Sequence, residues 1–308
     1  MLLRELLMEY DIECDCVSLE NTMSLDMFAG EFVGQCSPLF RWAGGKSQLL
    51  SAIRFYAPKK FNTYFEPFVG GGALLFALMP DKAVINDLNK SIINLYKDVR
   101  DNYKDLVSML EAVSKLPDTE TVYLTVRDMY NDYVRKENYS VELSALFMYL
   151  NAKAFNSLYR VNGKGEFNVS YRKEVKVQPV YTPETLKYAH EYFLNNEVDI
   201  LSGDFIKATE RASKGDFVYF DPPYAPVSES KNFTGYTQDG FSVEDQERLA
   251  EEFRRLTHLG VQCIESNSDC ELIRDLYKGC TIKTLNVNYY PQPTSDDIKR
   301  QEVLILNF

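Results

Sequence analysis

Four residues in the C-terminal half, Asp221-Pro222-Pro223-Tyr224, are suited to one kind of chemistry. They follow Phe217-Val218-Tyr219-Phe220, a run apolar enough for a buried strand. Two prolines lack backbone donors, so the chain must leave the sheet there. A stiff turn just past a strand's carboxyl end lies where open α/β sheets bind ligands. Its main-chain carbonyls remain as acceptors. A carboxylate, a fixed carbonyl and an aromatic face together match a planar ring bearing an amino group. Asp221 and the Pro222 carbonyl can each accept one N–H, which leaves the nitrogen lone pair for an electrophile. Tyr224 can stack on the ring. The plainer alternative is a rigid turn with a helix-capping aspartate.

A second constellation lies upstream. Phe65-Glu66-Pro67-Phe68-Val69-Gly70-Gly71-Gly72 reads as a strand running into glycines. Glycines there let the backbone approach a ligand at a helix N-terminus. The run has neither dinucleotide G-x-G-x-x-G spacing nor the ending of a phosphate-binding loop. Asp87 ends the next strand, 17 residues after Gly70. In doubly wound folds that position meets ribose hydroxyls. Its alternative is an N-cap for the helix starting near Asn89. Gly44-Gly45-Lys46-Ser47 resembles the end of a phosphate loop, but no glycine precedes it at the required spacing.

The elements that must hold these residues can be traced along the chain. Helices are predicted over 46–56, 73–79, 141–155, 243–257 and 269–277, and helical spacing runs from Ile92 to Val113. Strands are predicted over 62–69, 83–87, 198–201, 217–220 and 261–264, with an antiparallel pair at 281–286 and 302–307. Asn162-Gly163-Lys164-Gly165 marks a hairpin between Leu158 and Tyr171. The fold class is α/β, a doubly wound, mostly parallel sheet. Gly72 and Asp221 are 149 residues apart, and a couple of β-α units at ~30 residues each would fill only part of that gap. The spacing therefore predicts a mainly helical insert at 96–190 carrying the hairpin. Residues 37–95 and 191–308 would form a discontinuous catalytic domain, and 1–36 an acidic extension with a short amphipathic helix on Leu2, Leu3, Leu6, Leu7 and Tyr10.

The chain has 308 residues, of which 45% are apolar and 26% charged, as in an ordinary globular protein. Its net charge of −11 runs against nucleic-acid binding, but the charge is unevenly spread. Residues 1–36 hold one base and eight acids; removing that −7 from −11 leaves −4 for the rest. Residues 151–177 hold six bases and two acids, a net of +4. The six cysteines form no disulfide framework, and Cys14 and Cys16 lack redox-motif spacing. No apolar run approaches the ~20 residues that span a membrane, and no secretory signal is read at the N-terminus. The expected location is cytoplasmic.

Taken in order, these motifs resemble the Dam-like DNA adenine-N6 methyltransferases of the alpha group, over about residues 38–308. The resemblance implies S-adenosyl-L-methionine as cofactor, S-adenosyl-L-homocysteine as product, and no metal. Pro38-Leu39-Phe40-Arg41-Trp42-Ala43-Gly44-Gly45-Lys46 is similar to the family's N-terminal cofactor motif, which gives Trp42 and Lys46 cofactor contacts. Glu66, Phe68, Gly70 and Gly72 fall in its glycine loop, and Asp87 matches its ribose-binding acid. Asp204 and Phe205 match the segment flanking the cofactor adenine, and Asp221 serves both substrate and cofactor.

The segment Leu158-Tyr159-Arg160-Val161-Asn162-Gly163-Lys164-Gly165-Glu166-Phe167-Asn168-Val169 resembles the recognition hairpin of relatives that read GATC. The resemblance puts guanine reading on Arg160 with Leu158 nearby, and a base-extruding wedge at Phe155-Asn156, with Asn162 and Lys164 also on DNA. The plainer alternative is a basic surface touching phosphates alone. Two stretches depart from the pattern: Ser170-Tyr171-Arg172, and residues 288–297 with Asp296 and Asp297. The expected function is methyl transfer to N6 of a flipped-out adenine in duplex DNA within GATC, by a nucleoid-associated monomer. A cognate restriction endonuclease is a candidate partner. Other classes remain: an amino-methyltransferase on RNA or protein, a catalytically silent DNA-binding relative, or a nucleotide-dependent enzyme suggested by the Gly44–Ser47 stretch.

Overall fold

Short apolar runs bounded by acids, glycine and proline become strands, and longer stretches with apolar residues every third or fourth position become helices. The computed structural model describes residues 2–12, 37–42, 49–172, 179–226, 240–286 and 301–308. The chain opens with α1 (Leu3–Glu9), α2 (Leu50–Tyr56), β1 (Tyr64–Glu66), α3 (Ala73–Leu78) and β2 (Lys82–Asp87). The helices α4 (Lys90–Asp101), α5 (Tyr103–Ser114), α6 (Glu120–Arg135), α7 (Val141–Lys153) and α8 (Pro183–Asn195) come next. Then follow β3 (Glu197–Ser202), α9 (Phe205–Thr209), β4 (Phe217–Phe220), α10 (Val243–His258), β5 (Gln262–Ser268), α11 (Glu271–Leu276), β6 (Thr281–Asn286) and β7 (Gln301–Leu306). Among the described residues no helix is long and apolar enough to cross a membrane.

The chain divides into two compact units, residues 46–93 with 196–308, and residues 1–45 with 94–195. The first holds a seven-stranded sheet ordered β3-β2-β1-β4-β5-β7-β6. Strands β1 to β5 run parallel, and β7 pairs antiparallel with both β5 and β6. The expected α/β class with a mostly parallel sheet is therefore correct. Strand order reverses between β1 and β4, the kind of switch point beside which open α/β sheets bind ligands. Every residue of β4 is buried, as a parallel strand covered on both faces requires. Leu249, Phe253 and Leu256 of α10 close one face, joined in the core by Val218, Phe220 and Cys263. On the edge strand β3, Glu197 and Asp199 are exposed and pair with Lys82 and Arg211 at 2.8 and 2.7 Å.

The second unit is helical. Helix α7 is buried from Leu143 to Lys153, because its apolar residues ring the whole helix and α5 and α6 enclose it. Ser144 reaches back to Asp98 at 2.6 Å, and Asn94 bonds both at 2.9 and 2.8 Å, tying α4 to α7 through a buried polar knot. Phe40 meets Phe147 edge to face at 5.2 Å, and Asn151 Nδ2 donates to the Arg41 carbonyl at 2.8 Å. Residues 37–42 thus group with the helical insert rather than with the catalytic sheet where the sequence reading put them. Its boundaries also shift, from 96–190 to 94–195.

Other differences have local causes. Helix α1 buries Leu3, Leu6 and Leu7, while Leu2 and Tyr10 at its ends are exposed. Part of the acidic extension is therefore docked. Helices α6, α8 and α9 escaped sequence reading, although Val122, Val126, Met129 and Tyr133 keep helical spacing behind a Thr119 N-cap. Strand β1 has three residues rather than eight, and β5 runs four residues past Ile264. Cys263, Cys270 and Cys280 are free thiols. Lys46, the Gly44–Ser47 stretch, Cys14, Cys16, Cys36 and the 288–297 loop lie outside the described residues.

Candidate active site

The turn after β4 is held at almost every residue. Ser266 Oγ donates to Asp221 Oδ1 at 2.8 Å, and the Tyr219 hydroxyl lies 2.9 Å from Ser266 Oγ. Gln246 Nε2 donates to the Pro223 carbonyl at 2.9 Å. The Tyr224 hydroxyl donates to Glu302 Oε2 at 2.8 Å, and the Ala225 N–H donates to Asn267 Oδ1 at 3.0 Å. Asn267 Nδ2 then reaches Gln246 Oε1 at 3.1 Å and Glu265 Oε1 at 3.0 Å, while the Tyr277 hydroxyl donates to Glu265 Oε2. Strands β5 and β7 and helix α10 therefore fix the turn from three sides. Burial pushes the Tyr219 and Tyr224 phenols well above their usual range, and the neighbouring Asp221 charge adds to this, so both stay protonated donors.

Sequence reasoning singled out Asp221, Pro222 and Tyr224 of this turn and passed over the residues that hold it, Gln246, Glu265, Ser266, Asn267 and Glu302. A signal existed. Glu265-Ser266-Asn267-Ser268 is a polar run, so the predicted strand stopped at Ile264. The strand in fact continues through it with all four residues buried. Polar side chains sunk at a strand's carboxyl end mark a site, because each needs a partner there.

The glycine loop sits across the switch from this turn. Gly70 and Gly72 take left-handed φ values of 47° and 72°. The Gly70 N–H donates to Asp87 Oδ2 at 3.0 Å and the Asn89 N–H to Asp87 Oδ1 at 2.8 Å. Asn89 itself caps α4 through the Ser91 N–H at 3.0 Å. Asn86 Nδ2 bridges the Pro67 and Gly203 carbonyls at 2.9 Å each, locking the loops after β1 and β3 together. Burial raises Asp87 to about 6, against the lowering effect of its backbone donors. Glu66 is 3% exposed, and its Oε2 meets no hydrogen-bond partner of good geometry. Its carboxyl is pushed up to about 8, first by burial and then by the charge of Asp221.

Asp204 caps α9 through the Ile206 N–H at 3.0 Å and pairs with Arg248 at 2.7 Å. Phe205 is buried in an aromatic group with Phe68 at 5.4 Å and Phe241 at 6.0 Å, under the Arg248 guanidinium. Glu66, Phe68, Gly70, Gly72, Asp87, Asp204, Phe205, Asp221, Pro222 and Tyr224 thus belong to the sheet unit. Trp42 belongs to the helical unit, half-buried against Phe40, Phe147 and Tyr159. Among the described residues no group of three or more His, Cys, Asp or Glu is arranged to hold a metal ion.

The hairpin expected on DNA also lies in the helical unit. Val161 bridges Phe167 antiparallel, and the Asn168 N–H donates to the Arg160 carbonyl at 3.0 Å. Asn131 of α6 clamps both backbone groups of Phe167, at 3.0 and 2.8 Å. Asn162 Oδ1 accepts the Lys164 and Glu166 N–H groups at 2.9 and 3.1 Å, so this side chain builds the turn. Arg160 is exposed, with Nε on Asn168 Oδ1 at 2.9 Å, and Lys164 is exposed at the tip. Phe155 and Leu158 are exposed apolar residues flanking Asn156 and Ser157, which hold left-handed φ values of 53° and 52°.

The departure at 170–172 has a structural explanation. Arg172 Nη2 and Lys153 Nζ meet Asp118 Oδ2 at 2.7 and 3.0 Å, and the Tyr171 hydroxyl reaches Asp118 Oδ1 at 2.9 Å. Two of the six bases in the basic segment are therefore buried ion-pair partners rather than surface charges.

Comparison with known proteins bears on this arrangement. Residues 42–290 match the family described as D12 class N6 adenine-specific DNA methyltransferase. A Type II methyltransferase of Lactococcus lactis subsp. cremoris is 42% identical over 272 residues, 88% of this chain and 95% of that one. A Type II methyltransferase of Methanocaldococcus jannaschii is 36% identical over 297 residues, 89% and 100% of the two chains. The DNA adenine methylase of Escherichia coli K12 is 32% identical over 249 residues, 80% and 86% respectively. The match runs from Trp42 through the glycine loop, the insert and the Asp-Pro-Pro-Tyr turn, so this chain belongs to the D12 class of N6 adenine-specific DNA methyltransferases.

Proposed function

We propose that this enzyme methylates N6 of an adenine flipped out of duplex DNA, within GATC, with the turn at 221–224 receiving the base. The observation that carries this reading is the buttressed turn: Asp221 is held by buried Ser266 of β5 and Tyr224 by buried Glu302 of β7. Preorganised acceptors at a sheet's switch point suit a planar amino-bearing ring.

Family membership implies S-adenosylmethionine as methyl donor. The residues present fit that group: the buried, unpartnered Oε2 of Glu66 leaves a polar atom for a ligand to satisfy, and Asp87 ends β2 beside the glycine loop, the position suited to ribose hydroxyls. When bound, the cofactor supplies an electrophilic methyl group on a sulfonium. Glu66, Phe68, Gly70, Gly72, Asp87, Asp204 and Phe205 would line its site, with Trp42 and Lys46 contributing. Asp221 and the Pro222 carbonyl accept the two N–H groups of N6 and favour a more tetrahedral nitrogen. Tyr224 stacks on the base. Catalysis rests on positioning and electrostatics, with no covalent enzyme adduct.

Arg160 reads guanine, Phe155 and Asn156 wedge the duplex, and Leu158, Asn162 and Lys164 support that contact. Residues 94–195 act as the target-recognition unit and the sheet unit as the catalytic one. The enzyme works as a cytoplasmic, nucleoid-associated monomer. The Type II names of two relatives support a cognate restriction endonuclease as partner. The test is transfer of labelled methyl from S-adenosylmethionine to duplexes with and without GATC, beside Asp221→Ala. Label confined to GATC duplexes and lost in Asp221→Ala is expected. Label independent of GATC removes the specificity, and an active Asp221→Ala removes the role of the turn.

A further inference from the structure

Asp221 lies at the end of a directional chain of hydroxyls. Ser266 has one proton to donate, and it goes to Asp221 Oδ1 at 2.8 Å. The Tyr219 hydroxyl, 2.9 Å from the same Ser266 oxygen, must therefore be the donor in that pair. Its phenol is kept protonated by burial and by the nearby Asp221 charge. Ser266 is wholly buried in β5, with no solvent-exposed surface, and Tyr219 is 1% exposed in β4. A serine in this place fills little volume, and a smaller apolar residue would serve packing as well.

We propose that Ser266, oriented by Tyr219, is a positioning residue that fixes the plane of the Asp221 carboxylate and favours its ionised form. The proposal rests on the reading that Asp221 accepts the N6 amino protons. A carboxylate that rotates or protonates loses that acceptor geometry. A hydrogen bond donated to the charged form opposes both. The need is clear from the surroundings. Asp221 shares its neighbourhood with the carboxyls of Glu66 from β1 and Glu265 from β5, and with the phenols of Tyr219 and Tyr224. Glu302 of β7 lies one hydroxyl further, on Tyr224. Like charges crowd the half-buried Asp221 carboxylate, and Ser266 donates a hydrogen bond to its Oδ1 at 2.8 Å.

The experiment measures single-turnover methyl transfer against pH for the full chain and for Ser266→Ala, Ser266→Cys, Tyr219→Phe and Asp221→Ala. Cofactor affinity and urea midpoints are recorded beside it. Ser266→Ala is expected to slow transfer on the order of tenfold and to move the acid limb of the profile up by about one pH unit. Tyr219→Phe, which loses only the second hydroxyl, should shift the same limb less. Ser266→Cys, a weak donor of similar shape, should fall between parent and Ala. Cofactor affinity should stay within about threefold throughout. An unmoved acid limb in Ser266→Ala overturns the proposal, whether the rate is retained or falls together with the urea midpoint. If Asp221→Ala keeps its activity, the reading of the turn fails and the positioning role with it. If Asp221→Ala is silent while Ser266→Ala matches the parent, only the positioning role fails.

Discussion

Replacing Glu66 by Gln isolates the electrostatics of the pocket from its shape. The fold holds this carboxyl neutral, raising it from the usual 4.5 to about 8, chiefly by burial. Above pH ~4.5 the unfolded chain has released the proton that the folded chain still binds. The contribution of this group to stability is therefore greatest at low pH, declines as pH rises towards 8, and then levels off. At ~1.4 kcal/mol per pH unit, the decline from pH 6 to pH 8 is roughly 3 kcal/mol for this group alone. Glutamine has nearly the same shape and no proton to lose. Urea unfolding of the two proteins at pH 6 and at pH 9 should show the variant gaining about 3 kcal/mol on the parent between those conditions. Asp87 and Glu265, raised to about 6 and about 7, titrate in both proteins and cancel in the difference. A gap that stays constant with pH, within about 0.5 kcal/mol, would refute the assignment of a neutral buried Glu66.

Asp87→Asn replaces one acceptor by an amide that faces the Gly70 or Asn89 N–H, so calorimetry should show S-adenosylmethionine binding at least about tenfold weaker; unchanged affinity would argue against a tied glycine loop. Asp118→Ala leaves Lys153 and Arg172 buried without their shared carboxylate and should cost about 3–5 kcal/mol by urea unfolding; a loss below 1 kcal/mol, roughly that of a surface pair, would show the cluster to be solvated. Gly215→Ala puts a Cβ 2.6 Å from Asn62 Nδ2 at a φ of +93° and should cost about 1–3 kcal/mol. Gly163→Ala, with nothing within 4 Å, should change stability little, and equal effects at the two positions would contradict this account.

Much of the catalytic sheet was legible because parallel strands advertise themselves. Phe217–Phe220 and Ala83–Ile85 are buried apolar runs, followed by Asp221 and, after Asn86, by Asp87. The closing antiparallel pair was legible at 281–286 and 302–307, and the second strand in fact spans Gln301–Leu306, a continuous buried run after its first residue. Helix α6 was readable by its apolar spacing and was overlooked among many tyrosines, whose hydroxyls disguise buried positions. Strand β5 was cut short for the opposite reason: its last residues are polar, and polarity normally signals an exit from the sheet.

Residue type and order along the chain determined the chemistry of this protein. An acid, two prolines and a tyrosine after a buried strand define a rigid turn with acceptors and an aromatic face, wherever the chain later places it. The family itself was recognisable from the order of such motifs. Tertiary structure alone decided which residues support them. Ser266, Glu302 and Gln246 lie 45, 78 and 23 residues from their partners in the turn, and no local rule links such distances. It also decided that Arg172 and Lys153 serve Asp118 rather than a surface. Charge counted along a sequence does not reveal burial, and a side chain's partner is set by which strands and helices the sheet order brings side by side.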